Sequence, residues 1–394
     1  MTAYSSSSTQ PSGQGLRGRA GRLFASTLPH RMDWPLISAV AALSLLGVLL
    51  VASATYDPAD PGTALGHAER QVLHLAVGAA AFVVAAAVDY RVSRAYAPFL
   101  YAAAVLGLVL VLTPLGETIN GSRSWLVIGG LQMQPGEIAK IGLILAVAML
   151  LGEPRDGEFA PTSRDVLVSL VVLAVPLGLI LAQPDLGTGL VLMATYLGML
   201  ALSGAPVMWV AGLVGAGLAS AFAVVWFGLL EEYQLQRFTT FIDPGADPRG
   251  AGYNANQSMI AVGSGGLNGT GLFQGEHTRG RFVPEQHTDF IFTVAGEELG
   301  FFGGALIIGL LAFVLWRVLR IAALCEQPYA RMVCLGAAAW LCFQSFINIG
   351  MTLGISPITG VPLPFVSYGG TATIAHLAIL GLVLNIYARD RRVD

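Results

Sequence analysis

Charge is what this sequence has least of. Of its 394 residues only 11% are Asp, Glu, Lys or Arg, where an ordinary soluble domain has roughly 25%, while 55% are hydrophobic. So few charges cannot coat a surface facing water, which excludes a soluble globular protein and makes lipid the main solvent. The net charge of -3 supplies no basic excess, so nucleic acid is excluded as a partner. Lysine is almost missing: among 21 Lys and Arg residues, Lys140 is the only lysine. Cysteine is scarce too. Cys325, Cys334 and Cys342 gather around one late apolar run and the loop before it, and the loops assigned below to the outside have none, so no disulfide framework is expected. No cleavable signal is expected either, because the first apolar run starts only near Trp34, too late and too long, and reads as an uncleaved anchor.

Long apolar runs are what the sequence has in abundance. Stretches of about 18 to 22 residues match the thickness of a bilayer core. Ten can be placed, at 34–55, 70–89, 95–115, 136–152, 165–182, 187–203, 206–228, 290–316, 331–352 and 368–388. Unbroken apolar character selects helices over barrel strands, so the predicted fold is an all-α integral membrane protein of about ten transmembrane helices. Residues 1–33, rich in Ser, Gly and Arg, read as a disordered cytoplasmic tail, and 34–390 as a single membrane domain. With both termini cytoplasmic, Arg91, Arg94, Arg155, Arg164, Arg317, Arg320, Arg331 and Arg389 all fall inside, as the positive-inside rule requires. The longest connection, 229–288, between the seventh and eighth helices, then lies outside the cell. A loop that long is uncommon without a function. Its Gly, Asn and Asp content suits tight turns, with room for a short amphipathic or re-entrant piece around "NQSMIAV".

Ionisable residues within the spans collect at the outer ends: Glu137, Lys140, Asp185, Asp289, Glu297 and Glu298. Such groups are costly in a membrane and are functional candidates by default. Glu137 and Lys140, three residues apart in "QPGEIAK", share one helix face and read either as a mutually neutralised ion pair or as a cation held for an anionic headgroup. Asp185 in "QPDLGTG" reads first as a helix cap at a tight turn. Arg123 and Trp125 in "GSRSW" offer a cation and an aromatic at the interface, where Trp also serves as a membrane anchor. "PEQHTDFIF" places His287 and Asp289 where the eighth helix starts, with Arg279 and Arg281 just upstream; Asp289 is a cap or a reactive carboxylate. Glu297 and Glu298, deeper in that helix, read as partners of other polar groups, and His376 as a packing residue.

"QPGEIAK", "QPDLGTG", "GAGYNANQSMIAVGSGG", "PEQHTDFIFTVAGEELGFFGG" and "NIGMTLGISPITGVPLPFVSYGG", in this order, resemble the SEDS family of bacterial cell-wall polymerases over about residues 34 to 390. "GLFQGEHTRGRFVPEQHTDFIF" looks more like its RodA, or elongation, branch than its FtsW, or division, branch. Gly136, "GEH" and Thr371 depart from common family residues, and "GEH" bears on the branch rather than the family.

The resemblance implies a multi-pass peptidoglycan glycosyltransferase of the bacterial plasma membrane. It would polymerise lipid II at the outer leaflet, for elongation and shape, beside a class B penicillin-binding protein and the elongation machinery. Its catalytic aspartate corresponds to Asp289 and its Glu and Lys pair to Glu137 and Lys140. Substrate contacts are then expected from Lys140, Glu137, Arg123, Trp125, Arg279, Arg281, His287 and Asp185. Arg and Lys, or a divalent cation such as Mg or Mn with Asp289 as candidate ligand, would balance the departing pyrophosphate. A lipid II flippase and a noncatalytic scaffold for the penicillin-binding protein are the competing readings. A transport route should carry polar groups at mid-membrane and on both sides, and a scaffold gives no reason for Asp289 and Lys140.

Overall fold

The computed structural model describes residues 32–57, 62–119, 121–128, 131–153, 160–228 and 251–390. The expected tail, but for its last two residues, and the 229–250 part of the long connection lie outside them. Asp33 starts the first helix, α1 (Trp34–Ala54): its carboxylate accepts the Leu36 N–H at 3.1 Å, and Pro35 sits in the first turn, where its missing N–H costs nothing. Next come α2 (Gly62–Ala87) and α3 (Tyr90–Leu112), then three short strands, β1 (Gly116–Ile119), β2 (Ser122–Ile128) and β3 (Leu131–Met133). Helices α4 (Pro135–Leu151), α5 (Ser163–Leu181), α6 (Leu186–Leu202) and α7 (Val207–Trp226) follow. The chain ends with α8 (Ala251–Ser264), α9 (Glu276–Arg279), α10 (Ile291–Glu298), α11 (Gly300–Leu324), α12 (Pro328–Thr352) and α13 (Gly370–Arg389).

Among the described residues seven helices are long and apolar enough to cross a membrane, namely α2 from Gly66 onward and α1, α3, α5, α11, α12 and α13. Helix α6 and the 207–220 part of α7 are apolar but shorter. Helices α12 and α13 are mostly buried, whereas α2 and α3 turn Val72, Leu73, Val84, Phe99 and Leu106 outward. A helix that is apolar all round and exposed in this way needs lipid as its solvent.

The sheet was not anticipated. Its strands pair antiparallel in the order β1-β2-β3, with Glu117 opposite Trp125 and Leu126 opposite Met133. Gly121, with φ +82°, accepts the positive φ that a tight turn beside β2 requires.

The expected eighth span, 290–316, is also not one helix. It breaks between α10 and α11 at Gly300, which has φ +66°, and α11 runs on to Leu324. The glycine-rich segment after α8 occupies the break. Thr270 and Gly271 donate to the carbonyls of Glu297 and Glu298, each at 3.0 Å, while Phe301 and Phe302 donate to Gly266 and Leu267 at 2.9 and 3.2 Å. Backbone groups orphaned by the break are thereby paired, as an apolar surrounding demands.

Helix directions sort the polar residues by end. Asp289 lies at one end with Ser53, Asp57, His67 and the sheet. At the other, Arg317 is paired with the buried Asp33. That end also holds Asp390, which accepts from the Tyr90 hydroxyl and the Gln327 N–H, each at 3.0 Å, and the Arg94–Glu153 pair at 2.5 Å.

Candidate active site

Glu137 and Lys140 occupy the first turns of α4 and are almost wholly buried. Lys140 Nζ donates to Glu137 Oε1 at 2.7 Å and to Gln344 Oε1 at 3.0 Å, and lies 5.0 Å from the centre of the Trp340 ring. Burial of an ammonium is tolerable only with such partners. Gln344 Oε1 also accepts the Trp340 indole N–H at 2.7 Å, and its Nε2 donates to the Pro362 carbonyl at 2.8 Å. One turn further along α12, Asn348 Nδ2 donates to two carbonyls, those of Asp289 and Val361, each at 2.7 Å.

Asp289 is half-buried and precedes α10 by two residues. The cap position of α10 is held by Phe290, which makes no side-chain capping bond. Its own N–H donates to the Glu285 carbonyl at 3.2 Å. Across from its carboxylate is Gly360, with φ +71°, where an added Cβ would stand 3.4 Å from Asp289 Oδ2. His287, two residues before, accepts the Tyr368 N–H at 3.0 Å on its carbonyl, and its ring meets those of His67 and Tyr368 at 5.4 and 5.5 Å. Burial pushes the His287 imidazole below its usual range, opposed by Glu285 and assisted by His67.

The remaining candidates divide into two kinds. Arg279 and Arg281 are exposed, and Arg281 meets Asp57 at 3.5 Å. Arg123, by contrast, is committed to its own hairpin, donating to the carbonyls of Thr113 and Gly116 at 2.7 and 3.2 Å, with Trp125 half-exposed on the same strand. Asp185 is the cap of α6, accepting the Thr188 N–H at 3.0 Å, and it also accepts from Gln134 Nε2 at 3.2 Å. Glu297 receives the N–H groups of His277 and Thr278 and the Thr278 hydroxyl at 2.8, 2.9 and 2.7 Å, and Glu298 receives the Ser53 hydroxyl at 2.7 Å. Among the described residues no three His, Cys, Asp or Glu side chains converge as a metal site. No chemical step below passes through a bound cation.

The FtsW/RodA/SpoVE family model, described as cell cycle protein, matches residues 34–392. The chain belongs to this family. It is 40% identical over 359 residues to peptidoglycan glycosyltransferase MrdB of Escherichia coli (strain K12), covering 89% of this chain and 94% of that protein. Stage V sporulation protein E of Bacillus subtilis (strain 168) is 36% identical over 362 residues, covering 91% and 98%. Among solved structures, the rod shape determining protein RodA of Thermus thermophilus superposes with a TM-score of 0.67 at 32% identity, covering 93% of this chain and 99% of that one. A chain of a peptidoglycan synthase complex that coordinates polymerization and crosslinking superposes with a TM-score of 0.76 at 33% identity, covering 93% and 100%.

In this FtsW/RodA/SpoVE chain, Gln344 and Asn348 are the site residues that reading the sequence missed. Trp340, Gln344 and Asn348 recur every fourth residue on α12, a polar stripe on one face of an otherwise apolar helix, and that spacing was the available signal.

Proposed function

We propose that Asp289 is the carboxylate that removes the acceptor's proton in glycan polymerisation. The chain is a multi-pass membrane peptidoglycan glycosyltransferase of the elongation type, with lipid II as its proposed substrate. The acceptor's 4-hydroxyl attacks the anomeric carbon of the donor. A glycosidic C–O bond forms as the bond from that carbon to the pyrophosphate oxygen breaks, and the electron pair leaves with the polyprenyl pyrophosphate. The hydroxyl proton passes to Asp289 and then to water. General-base catalysis of this kind contributes about 10²–10⁴-fold.

The observation that carries this reading is the placement of Asp289: half-buried at the end of the bundle, on a backbone held from α12. The arginines Arg91, Arg94, Arg317, Arg320 and Arg389 belong to the opposite end, which supports a cytoplasmic assignment for that end and an outer-leaflet site. Ten spans complete the proposed topology, with α4, α6 and α7 added to the seven longer helices. Prenyl tails then stay in lipid while Arg279 and Arg281 face the pyrophosphate. Likeness to a chain from a polymerising and crosslinking complex supports a class B penicillin-binding protein as partner, docked on α11 and α12, where Phe301, Phe302 and Leu306 are exposed.

Asp289→Asn tests the base with little change of shape. Purified variant and partner should lose at least about 10²-fold in glycan formation from lipid II, with folding and complex yield unchanged. Near-parental polymerisation would remove Asp289 from the mechanism.

A further inference from the structure

The only lysine of the chain does not reach Asp289, yet a continuous line of hydrogen bonds connects them. From Glu137 it passes to Lys140, to Gln344 Oε1, through the Gln344 amide to the Pro362 carbonyl, along one peptide to Val361, and by Asn348 Nδ2 to the Asp289 carbonyl. Every side chain in it is almost wholly buried. We propose that Gln344 and Asn348 are positioning residues for the reaction, and that the buried Lys140–Glu137 pair acts on Asp289 through them rather than by touching substrate. This rests on Asp289 being the reactive carboxylate.

An amide side chain has a donor end and an acceptor end, and either could face α4. Lys140 and the Trp340 indole, two donors on one oxygen, fix which one does. The NH₂ end must then face Pro362. Without the ammonium, the Gln344 oxygen keeps one donor, and a flip that points its oxygen at the Pro362 carbonyl loses much of its penalty.

Pro362 and Val361 are neighbours, so Gln344 and Asn348 hold two successive carbonyls from adjacent turns of α12. The held segment begins with Gly360, which packs against the Asp289 carboxylate. It ends near Tyr368, whose N–H grips the His287 carbonyl, and Gln71 Nε2 donates to the Ser367 carbonyl at 3.2 Å on the way. Asn348 thus fixes both the main chain of Asp289 and the wall its carboxylate rests on. A reacting group displaced by about 1 Å can lose 10²-fold in rate.

A double-mutant cycle on the full chain with its partner, polymerising lipid II, reads this directly. Asn348→Ala and Lys140→Met should each lower kcat by about 10- to 10²-fold, with KM for lipid II within about twofold. The double variant should be no slower than about the worse single, because both cut one line. Gln344→Glu keeps an acceptor for Lys140 but turns the donor to Pro362 into a second acceptor facing that carbonyl, so it should show the same kcat loss, at some cost in thermal stability and with folding and complex yield confirmed. Additive losses of kcat, a loss carried by KM in Lys140→Met, or parental kcat in Gln344→Glu would each overturn the relay. Asp289→Asn run alongside separates the two claims. If it is inactive while losses in the cycle add, only the relay fails; if it turns over at the parental rate, the base assignment fails and the relay loses its target.

Discussion

Glu297→Gln should open the segment that carries Arg279 and Arg281 without unfolding the bundle. The carboxylate is buried and takes three donors from residues 277 and 278, all at 2.9 Å or less. The main-chain carbonyl of Glu297, which holds Thr270, is untouched by the change. Gln has one oxygen where Glu has two. The less costly orientation keeps that oxygen on Thr278, which donates twice, and turns the NH₂ toward the His277 N–H. One buried donor is then left facing another donor, at about 1–3 kcal/mol, and two charge-assisted bonds become neutral ones, at about 0.5–1 kcal/mol each. A total near 3 kcal/mol corresponds to about a 10²-fold rise in the opened form.

Trypsin is the natural probe, because both arginines are exposed but sit in folded backbone. Cleavage after Arg279 and Arg281, followed by mass spectrometry in detergent, should accelerate about 10²-fold while closing remains fast relative to cutting. An unchanged rate at these two bonds would show that Glu297 does not hold the segment. An equal rise at every accessible arginine would show global loosening instead.

Two further outcomes follow from the same end of the bundle. Gly300→Ala places a Cβ 2.3 Å from the Gly269 nitrogen at a residue with φ +66°, so the thermal midpoint should fall by the equivalent of at least about 1–3 kcal/mol. Gly309→Ala, whose Cβ meets nothing within 4 Å, should leave the midpoint where it is, and equal behaviour of the two would refute the strain. His287, with its imidazole pushed down by burial, binds its proton more readily in the unfolded chain, so it subtracts stability as the pH drops below its ordinary value of 6.5. The midpoint of the parent should therefore fall more steeply than that of His287→Gln between pH 7 and 5.5, and parallel curves would show that the ring, with His67, His74, Glu285 and Tyr368 around it, is not penalised for charging.

Much of this architecture was legible because membranes impose a coarse code. Apolar runs gave helices, Asp185 before "LGTG" gave a cap, and Glu297 and Glu298 proved to be partners of other polar groups. What stayed hidden depends on bonds to main-chain carbonyls far along the chain, which leave no periodicity. The break at Gly300 is stabilised by residues 266–271, and Asn348 serves carbonyls 59 and 13 residues away. Charge was the wrong guide to the α12 stripe, since Gln344 and Asn348 carry none.

The same distinction bears on which cations meet an anionic headgroup. Lys140 is buried and bonded to Glu137 and Gln344; drawing it toward a pyrophosphate would leave Glu137 uncompensated in an apolar interior, a cost of about 3–5 kcal/mol. Arg281 faces no such cost. Its contact with Asp57 is long and exposed, the kind of pair that contributes about 0–1 kcal/mol, so a doubly charged ligand can take the guanidinium from Asp57 almost freely. Among the described cations proposed for the site, two kinds are thus distinguished: the exposed Arg279 and Arg281, the second of which can exchange its partner at little cost, and the interior Lys140, whose pair is costly to separate.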